Sequence, residues 1–346
     1  MFKKKIKVLC GYANTGGIAY KIAEGLRKNK IKADSVVIDD HLFSYKHHKK
    51  LKFIGNKPNL INRLIKYYYF IKHTLKYNVF IFNTRSTMLA RKGDLKILKF
   101  LGKKTAMIYV GCDIRDKYYY LNSSNKYTVC KYCSVDYQKK IHCVMHEKLN
   151  ETNIIQQNIN VTFSHPFDAM ILQDKFHYLY LLLELDEYTP NFKINDTLKI
   201  VHIPSDDGIK GTKFVLESIN ILKKQNISFE FELIKNISHQ KTIELIKNCD
   251  ILIDQMTAGW YGLISIEAMA LGKTVICYIR DELYNYLPDL PIINLNPDNL
   301  AKGLKKLILE KDKLSEFGKA GRVFVEKYHD HIKNSADMLK IILQNN

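Results

Sequence analysis

The sequence predicts an α/β protein made of two doubly wound parallel sheets in tandem, each covered by helices, the two domains facing a central cleft. Three observations carry this. Short apolar runs of strand length alternate with longer runs of helical periodicity along the chain. The rhythm pauses once, at a proline-bearing stretch over residues 188–196, and then restarts. A chain of 346 residues with 46% hydrophobic content also suffices for two domains of ordinary size, each with its own core.

The elements follow in order. Residues 5–10 read as a strand, ending in a glycine-bearing loop before a helix over 18–30. A strand is expected over 35–38 and a helix over 59–76, with Leu60, Leu64, Ile65, Tyr68 and Ile71 toward one side. That side is expected to cover the sheet. Strands over 79–82 and 105–110 follow, and residues 120–165 look less regular. After the pause come strands over 199–203, 229–234, 251–254, 274–278 and 291–294. They are interleaved with helices over 212–224, 240–248, 263–271, 298–310, 313–328 and 331–344. Strand–helix alternation of this kind gives a parallel sheet with helices on both faces, a Rossmann-like arrangement. The domain boundaries this implies are 1–190 and 196–328. Ligands of such sheets bind at the carboxyl ends of the strands.

Composition narrows the function classes. No apolar run reaches the ~18 residues needed to span a bilayer. The lysine-rich start followed by an apolar run has the look of an export signal. Gly11, Asn14, Gly16 and Gly17 break it at once, so it reads as a first strand. Seven cysteines are then free thiols in a reducing compartment, and a cytoplasmic location is expected. The net charge is +19, and residues 1–190 hold 33 Lys and Arg against 15 Asp and Glu. The second half is close to neutral. This asymmetry implies an anionic partner for the first half. Arg63, Lys66, Lys72 and Lys76, beside Tyr67, Tyr68, Tyr69 and Phe70 on one helix, suit an anionic membrane surface. No nucleic-acid-binding motif accompanies the charge, so nucleic acid is not an expected partner.

Two stretches carry anion-binding chemistry. In the first, Asp254-Gln255 end a strand, Gly259-Trp260-Tyr261-Gly262 form a loop, and Glu267-Ala268-Met269-Ala270 lie one turn into a helix. Gly262 lets backbone approach a ligand, and the amides around Leu263 and Ile264 open a helix whose N-terminus favours a diphosphate. Glu267 would compete with that phosphate unless it reaches past it to ribose hydroxyls. In the second stretch, Ser205-Asp206-Asp207-Gly208-Ile209-Lys210-Gly211 also joins a strand to a helix, which places Lys210 to neutralise a leaving phosphate. Gly272-Lys273-Thr274 has the tail of a P-loop but leads into a strand, and Gly11 to Gly17 only partly match a dinucleotide fingerprint.

The first stretch resembles the donor-binding segment of family 4 glycosyltransferases, which have the GT-B architecture of two Rossmann-like domains. Glu267-Ala268-Met269-Ala270 with Gly272 matches the second half of the family pattern. The resemblance implies that Glu267 holds the donor ribose and that the amides at Gly262, Leu263 and Ile264 hold its diphosphate. Lys210-Gly211 matches a second family element, with Ser205 where an arginine is usual. The family's first carboxylate is replaced by Gly259, as in a subgroup with the same Asp-Gln and Gly-Trp-Tyr-Gly elements. Gly111-Cys112-Asp113-Ile114-Arg115 resembles an acceptor-side segment. It implies that Asp113 orients an acceptor hydroxyl and Arg115 an anionic group, unless the two merely brace the loop. Asn14, Thr15, Gly16 and Gly17 would face the cleft, and residues 329–346 would cross back onto the first domain.

The function implied is transfer of a sugar, with retention, from a nucleotide-diphosphate sugar to a saccharide or lipid-linked acceptor, in cell-surface polysaccharide or glycolipid synthesis. The chemistry needs no cofactor. The alternative is a sugar-nucleotide or glycan-binding protein that kept the fold without the chemistry. Separately, Cys130, Cys133, Cys143 and His146 have the paired spacing of a structural zinc site.

Overall fold

A computed structural model of the chain describes residues 6–39, 45–54, 60–165, 168–173, 175–284, 287 and 289–345. They form two compact units. The first comprises residues 1–116, 143–182 and 331–346, the second residues 117–142 and 183–330. Residues 117–142 therefore pack with the second unit, where the strand–helix rhythm alone placed them in the first domain. The reason is local: Val129, Cys130, Cys133 and Tyr137 close an apolar cluster with Ile209 and Ala258.

In the first unit, strands β1 (Lys7–Tyr12), β2 (Lys32–Val37), β3 (Lys49–Lys50), β4 (Val79–Asn83), β5 (Lys104–Tyr109), β6 (Val161–Ser164) and β7 (His177–Tyr178) form one sheet. All pairings are parallel, in the order β3-β2-β1-β4-β5-β6-β7. β4 reads Val-Phe-Ile-Phe-Asn and is buried throughout, as expected of a parallel strand covered on both faces. One face packs on helix α1 (Ile18–Lys28) and the C-terminal helix His331–Gln344 through Ile18, Ile22, Leu26, Met338, Leu339 and Ile342. These two helices approach so closely that a Cβ on Gly25 would stand 2.2 Å from the His331 carbonyl oxygen.

The other face is covered by α2 (Leu60–Lys76) and α3 (Gly93–Phe100) through Phe70, Tyr77, Leu95 and Leu98. Residues 120–165, expected to be irregular, contain the 14-residue helix α4 (Met145–Asn158) leading into β6. α2 corrects a second expectation. Its inward face is Asn62, Phe70, His73 and Thr74, while Leu60, Leu64, Tyr68 and Ile71 point to solvent. Polar partners make this possible: the Tyr12 hydroxyl lies 2.9 Å from His73 Nδ1, and the Asn62 amide exchanges two hydrogen bonds of 2.9 Å with Ile54 backbone.

In the second unit, β8 (Lys199–His202), β9 (Glu230–Leu233), β10 (Ile251–Ile253), β11 (Thr274–Cys277) and β12 (Ile293–Asn294) pair in parallel in the order β12-β11-β10-β8-β9. Helices α5 (Thr212–Lys224), α6 (His239–Asn248), α7 (Leu263–Ala270), α8 (Leu300–Leu309) and α9 (Leu314–Tyr328) cover it. Val215, Ile219, Leu222, Leu300 and Leu304 bury against Ile200, Ile251 and Ile253. Every strand and helix that periodicity predicts in this half is present, because each keeps its apolar residues on the period its geometry requires. No helix among the described residues is long and apolar enough to cross a membrane.

Candidate functional site

The second sheet reverses its winding between β8 and β10, and in open α/β sheets such a switch point is where the crevice outside the carboxyl ends of the strands takes ligands. His202, the last residue of β8, staples that junction. Its ring is buried, with Nδ1 2.8 Å from the Ile253 carbonyl and Nε2 3.1 Å from the Thr212 hydroxyl. A carbonyl can only accept, so Nδ1 carries the proton and Nε2 accepts from Thr212. Burial pushes the His202 pKa down to about 4, keeping the ring neutral.

Past His202 the chain enters a tight loop. The Asp206 side chain accepts from the Ile209 amide at 2.9 Å, capping the short helix Asp207–Lys210. Gly211 ends it at φ 70, where a Cβ would come 2.9 Å from Met256 Cβ, so glycine is required there. This turn aims Lys210 across the crevice. Its Nζ donates to Asp254 Oδ1 at 2.5 Å and to Gln255 Oε1 at 3.2 Å. Ser205 lies exposed on the same loop.

Asp254 follows β10 and is almost fully buried. Its Oδ2 accepts from the Ser265 hydroxyl at 2.6 Å and from the Gly262 amide at 3.3 Å. The carboxylate thus sits against the N-terminus of α7 while holding Lys210. α7 presents Gly262, Leu263 and Ile264 at its first turn, half-buried, where amides lack intrahelical acceptors. A Cβ on Gly262 would meet nothing closer than 3.5 Å, with Lys210 Nζ at 3.8 Å. A methyl would therefore fit at this position in ordinary contact, beside the cation.

One turn on, Glu267 is buried, and both of its bonds land on Oε1: His239 Nε2 at 2.7 Å and the Tyr188 hydroxyl at 3.2 Å. Burial and the neighbouring Glu267 charge push the Tyr188 phenol far up, so it stays a donor. His239 opens α6 and is 40% exposed along its side chain. The sequence reading missed His239 and Tyr188 altogether. For His239 the signal was present, since it begins the helix after β9 at the same sheet end.

Gly259, in place of the family carboxylate, has φ 73, and a Cβ there would lie 2.6 Å from Arg280 Cγ. Arg280 is buried against this loop with its guanidinium over the Tyr120 ring. The structure thus has no room for a side chain at 259.

In the first unit the loop Asn14, Thr15, Gly16 and Gly17 lies at that sheet's own switch point, between β1 and β4, where Asn83 Nδ2 donates to the Ala13 carbonyl at 2.8 Å. Asn14 is buried and braces the loop: Nδ2 donates to the Lys46 carbonyl at 2.8 Å and Oδ1 accepts from the Tyr20 amide at 3.3 Å. Thr15, Gly16 and Gly17 make the turn into α1, both glycines at positive φ. Asp113, after β5, accepts from the Gly111 amide at 2.8 Å and the Val110 amide at 3.3 Å, and burial raises its pKa. The Arg115 carbonyl accepts from buried Lys148 at 3.0 Å.

The zinc expectation is corrected. Among the described residues no group of three or more His, Cys, Asp or Glu is placed to hold a metal. Cys130 and Cys133 belong to the second unit and pack in its apolar cluster. Cys143 and His146 belong to the first, where Cys143 Sγ lies 3.9 Å from the Lys148 ammonium. The spacing that suggests two paired ligands is met by two unrelated environments.

No protein-family model matches the chain, and neither does any curated protein. Solved structures do. HepE from Anabaena, in complex with UDP-glucose, aligns with TM-score 0.65 at 11% identity over 98% of this chain and 100% of its own. Sucrose-phosphate synthase from Thermosynechococcus elongatus aligns with TM-score 0.65 at 12% identity over 99% and 96%. An alpha-glucosyltransferase in complex with UDP-glucose and DNA containing an abasic site aligns with TM-score 0.61 at 10% identity over 98% of each chain. The fold is that of the GT-B glycosyltransferases. At these identities the likeness is one of fold. Within the GT-B fold, the crevice between β8 and β10 is where the second domain's chemistry-bearing side chains converge: Lys210, Asp254, Gln255, Glu267 and His239.

Proposed function

We propose that this chain transfers a glycosyl group from a nucleotide-diphosphate sugar to a hydroxyl of a saccharide or lipid-linked acceptor. The observation that carries the reading is the crevice at the switch point of the second sheet. One ammonium, the amides opening α7 and a buried carboxylate one turn deeper line up in the order that a diphosphate and its ribose require. The GT-B fold, shared with proteins solved with UDP-glucose, supports the donor class.

In this reading the diphosphate lies against Gly262, Leu263 and Ile264. An ammonium has three N–H donors. Asp254 and Gln255 take two, which leaves one for a phosphate oxygen. Lys210 then offsets the charge that builds on the departing diphosphate, a task needing no metal ion. Ser205 rims the site. Glu267, held by Tyr188 and His239, takes the ribose. On the acceptor side we assign Asp113, Arg115 and the loop Asn14, Thr15, Gly16 and Gly17. Retention of configuration is the outcome that the resemblance of the Glu267 segment implies. The basic first half of the chain suits an acceptor that carries phosphate or sits among anionic lipids.

Two measurements on purified protein test this. UDP and other nucleoside diphosphates should raise the melting temperature, because they bind only the native state. Incubation with a UDP-sugar should release UDP, faster with the right acceptor. A chain whose melting temperature no nucleoside diphosphate shifts is not a sugar-nucleotide enzyme. One that is stabilised, yet releases no nucleotide from any donor, is a binding protein on the same fold.

A further inference from the structure

We propose that α2 seats this protein on an anionic membrane surface, with its apolar stripe sunk to the boundary between headgroups and acyl chains. At 100° per residue, Leu60, Ile61, Leu64, Tyr68, Ile71 and Leu75 fall within one arc of about 100°. The structure leaves that arc in solvent: Leu64 is 61% exposed, Ile71 58% and Leu75 82%. Single exposed leucines are ordinary, but an unbroken stripe on one helix is not. It runs some 22 Å along the helix at 1.5 Å per residue.

The opposite face holds the helix to the sheet through Phe70, His73 and Tyr77, so the outer stripe is not needed for the fold. Cations border it. Lys72 lies about 20° beyond the Ile61 edge and Arg63 about 60° beyond the Leu60 edge, both exposed, and the helix contains no Asp or Glu. Lys76, at the end of the helix, pairs with Asp34 at 3.0 Å and lines a pocket of about 490 Å³ with Lys7, Arg27, Lys30 and Lys32. An exposed apolar stripe on a helix that carries cations and no carboxylate is the pattern of a helix lying in the interface of an anionic bilayer. A second copy of this chain fits less well, because its own Arg63 and Lys72 would face these. This inference does not depend on glycosyl transfer.

The test is sedimentation of the full chain with vesicles of phosphatidylglycerol or of phosphatidylcholine. The wild-type protein should pellet with the anionic vesicles. Leu64→Asn, Ile71→Asn and Leu75→Asn together should weaken partitioning at least about tenfold. Arg63→Glu with Lys72→Glu should reduce binding to anionic vesicles to the level seen with zwitterionic ones. Circular dichroism melts check that the variants fold. If the triple variant does not, Leu75→Asn alone, at the most exposed position, should still lower partitioning measurably. The proposal is overturned if the wild-type protein stays in the supernatant of anionic vesicles, or if the apolar variants pellet as it does. It is also overturned if the wild-type protein dimerises without lipid, ignores vesicles, and becomes monomeric with the apolar substitutions, for the stripe would then be a self-association surface.

Discussion

The Lys210 ammonium and the Asp254 carboxylate meet at 2.5 Å where the second sheet changes winding direction, and both are largely withdrawn from solvent. Asp254 therefore stands, as an internal anion, at the N-terminus that a donor diphosphate would approach. Replacing one partner of such a pair strands the other, at a cost of about 3–5 kcal/mol. Asp254→Asn should lower the melting temperature accordingly. In that variant a bound diphosphate supplies the missing negative charge. UDP should then raise the melting temperature of Asp254→Asn by more than it raises that of the wild type. Equal shifts would mean that Lys210 does not face the phosphates.

Glu267 gives a second separation of folding from binding. As a buried acceptor it holds Tyr188 and His239. Glu267→Ala leaves both donors without it and should cost about 1–3 kcal/mol of stability as well as affinity. Glu267→Gln keeps shape and an acceptor oxygen, so its main loss should be affinity for nucleoside diphosphates. His239→Ala, at the more exposed partner, should weaken nucleotide binding with little change in melting temperature. Calorimetric titration with UDP reads all three, and unchanged affinity throughout would remove this cluster from the donor site.

Two glycines form a controlled pair. Gly262→Ala adds a methyl where the protein leaves room, the nearest atom being Asp254 Oδ2 at 3.5 Å. It should fold as the wild type does yet bind UDP at least about tenfold less well, since the methyl occupies space beside the cation. Gly211→Ala forces a side chain onto backbone at φ 70 and against Met256, so it should cost stability of about 1–3 kcal/mol. Wild-type affinity in a folded Gly262→Ala protein would place the diphosphate elsewhere.

How much of this the sequence showed depends on whether a feature is periodic or relational. The second unit was legible because its apolar residues repeat at the spacing of strands and helices. Gly262 and Lys210 could be placed near one another because both stretches join a strand to a helix at the carboxyl end of one parallel sheet. A ribose role for Glu267 came only from the family resemblance. The Asp254–Lys210 pair spans 44 positions and His239–Glu267 spans 28, and no local pattern reports such meetings. The cysteine spacing misled because it is local: residues 130–133 and 143–146 pack in different units. α2 misled for a different reason. Periodicity identifies an apolar side but not what that side faces, and here the sheet takes the side with Phe70 and His73 instead.

The last prediction concerns acid. His202 is buried and neutral, with a pKa near 4 against an ordinary 6.5. Below pH 6.5 the unfolded chain takes up a proton at this position while the folded chain does not, until the pH approaches 4. The stability tied to the neutral ring is therefore complete above pH 6.5 and is lost progressively as the pH falls toward 4. The loss amounts to roughly 3 kcal/mol at most, at 1.36 kcal/mol per pKa unit. His202→Asn keeps a side-chain N–H close to where Nδ1 donates to Ile253 but cannot titrate in this range. Its stability should sit below that of the wild type at pH 7.5, and the gap should narrow as the pH is lowered from 6.5 to 4.5. Urea unfolding of both proteins across that range measures the gap, with other acid-sensitive groups common to the two curves. A constant gap would mean that the ring takes up its proton equally in the folded and unfolded chain.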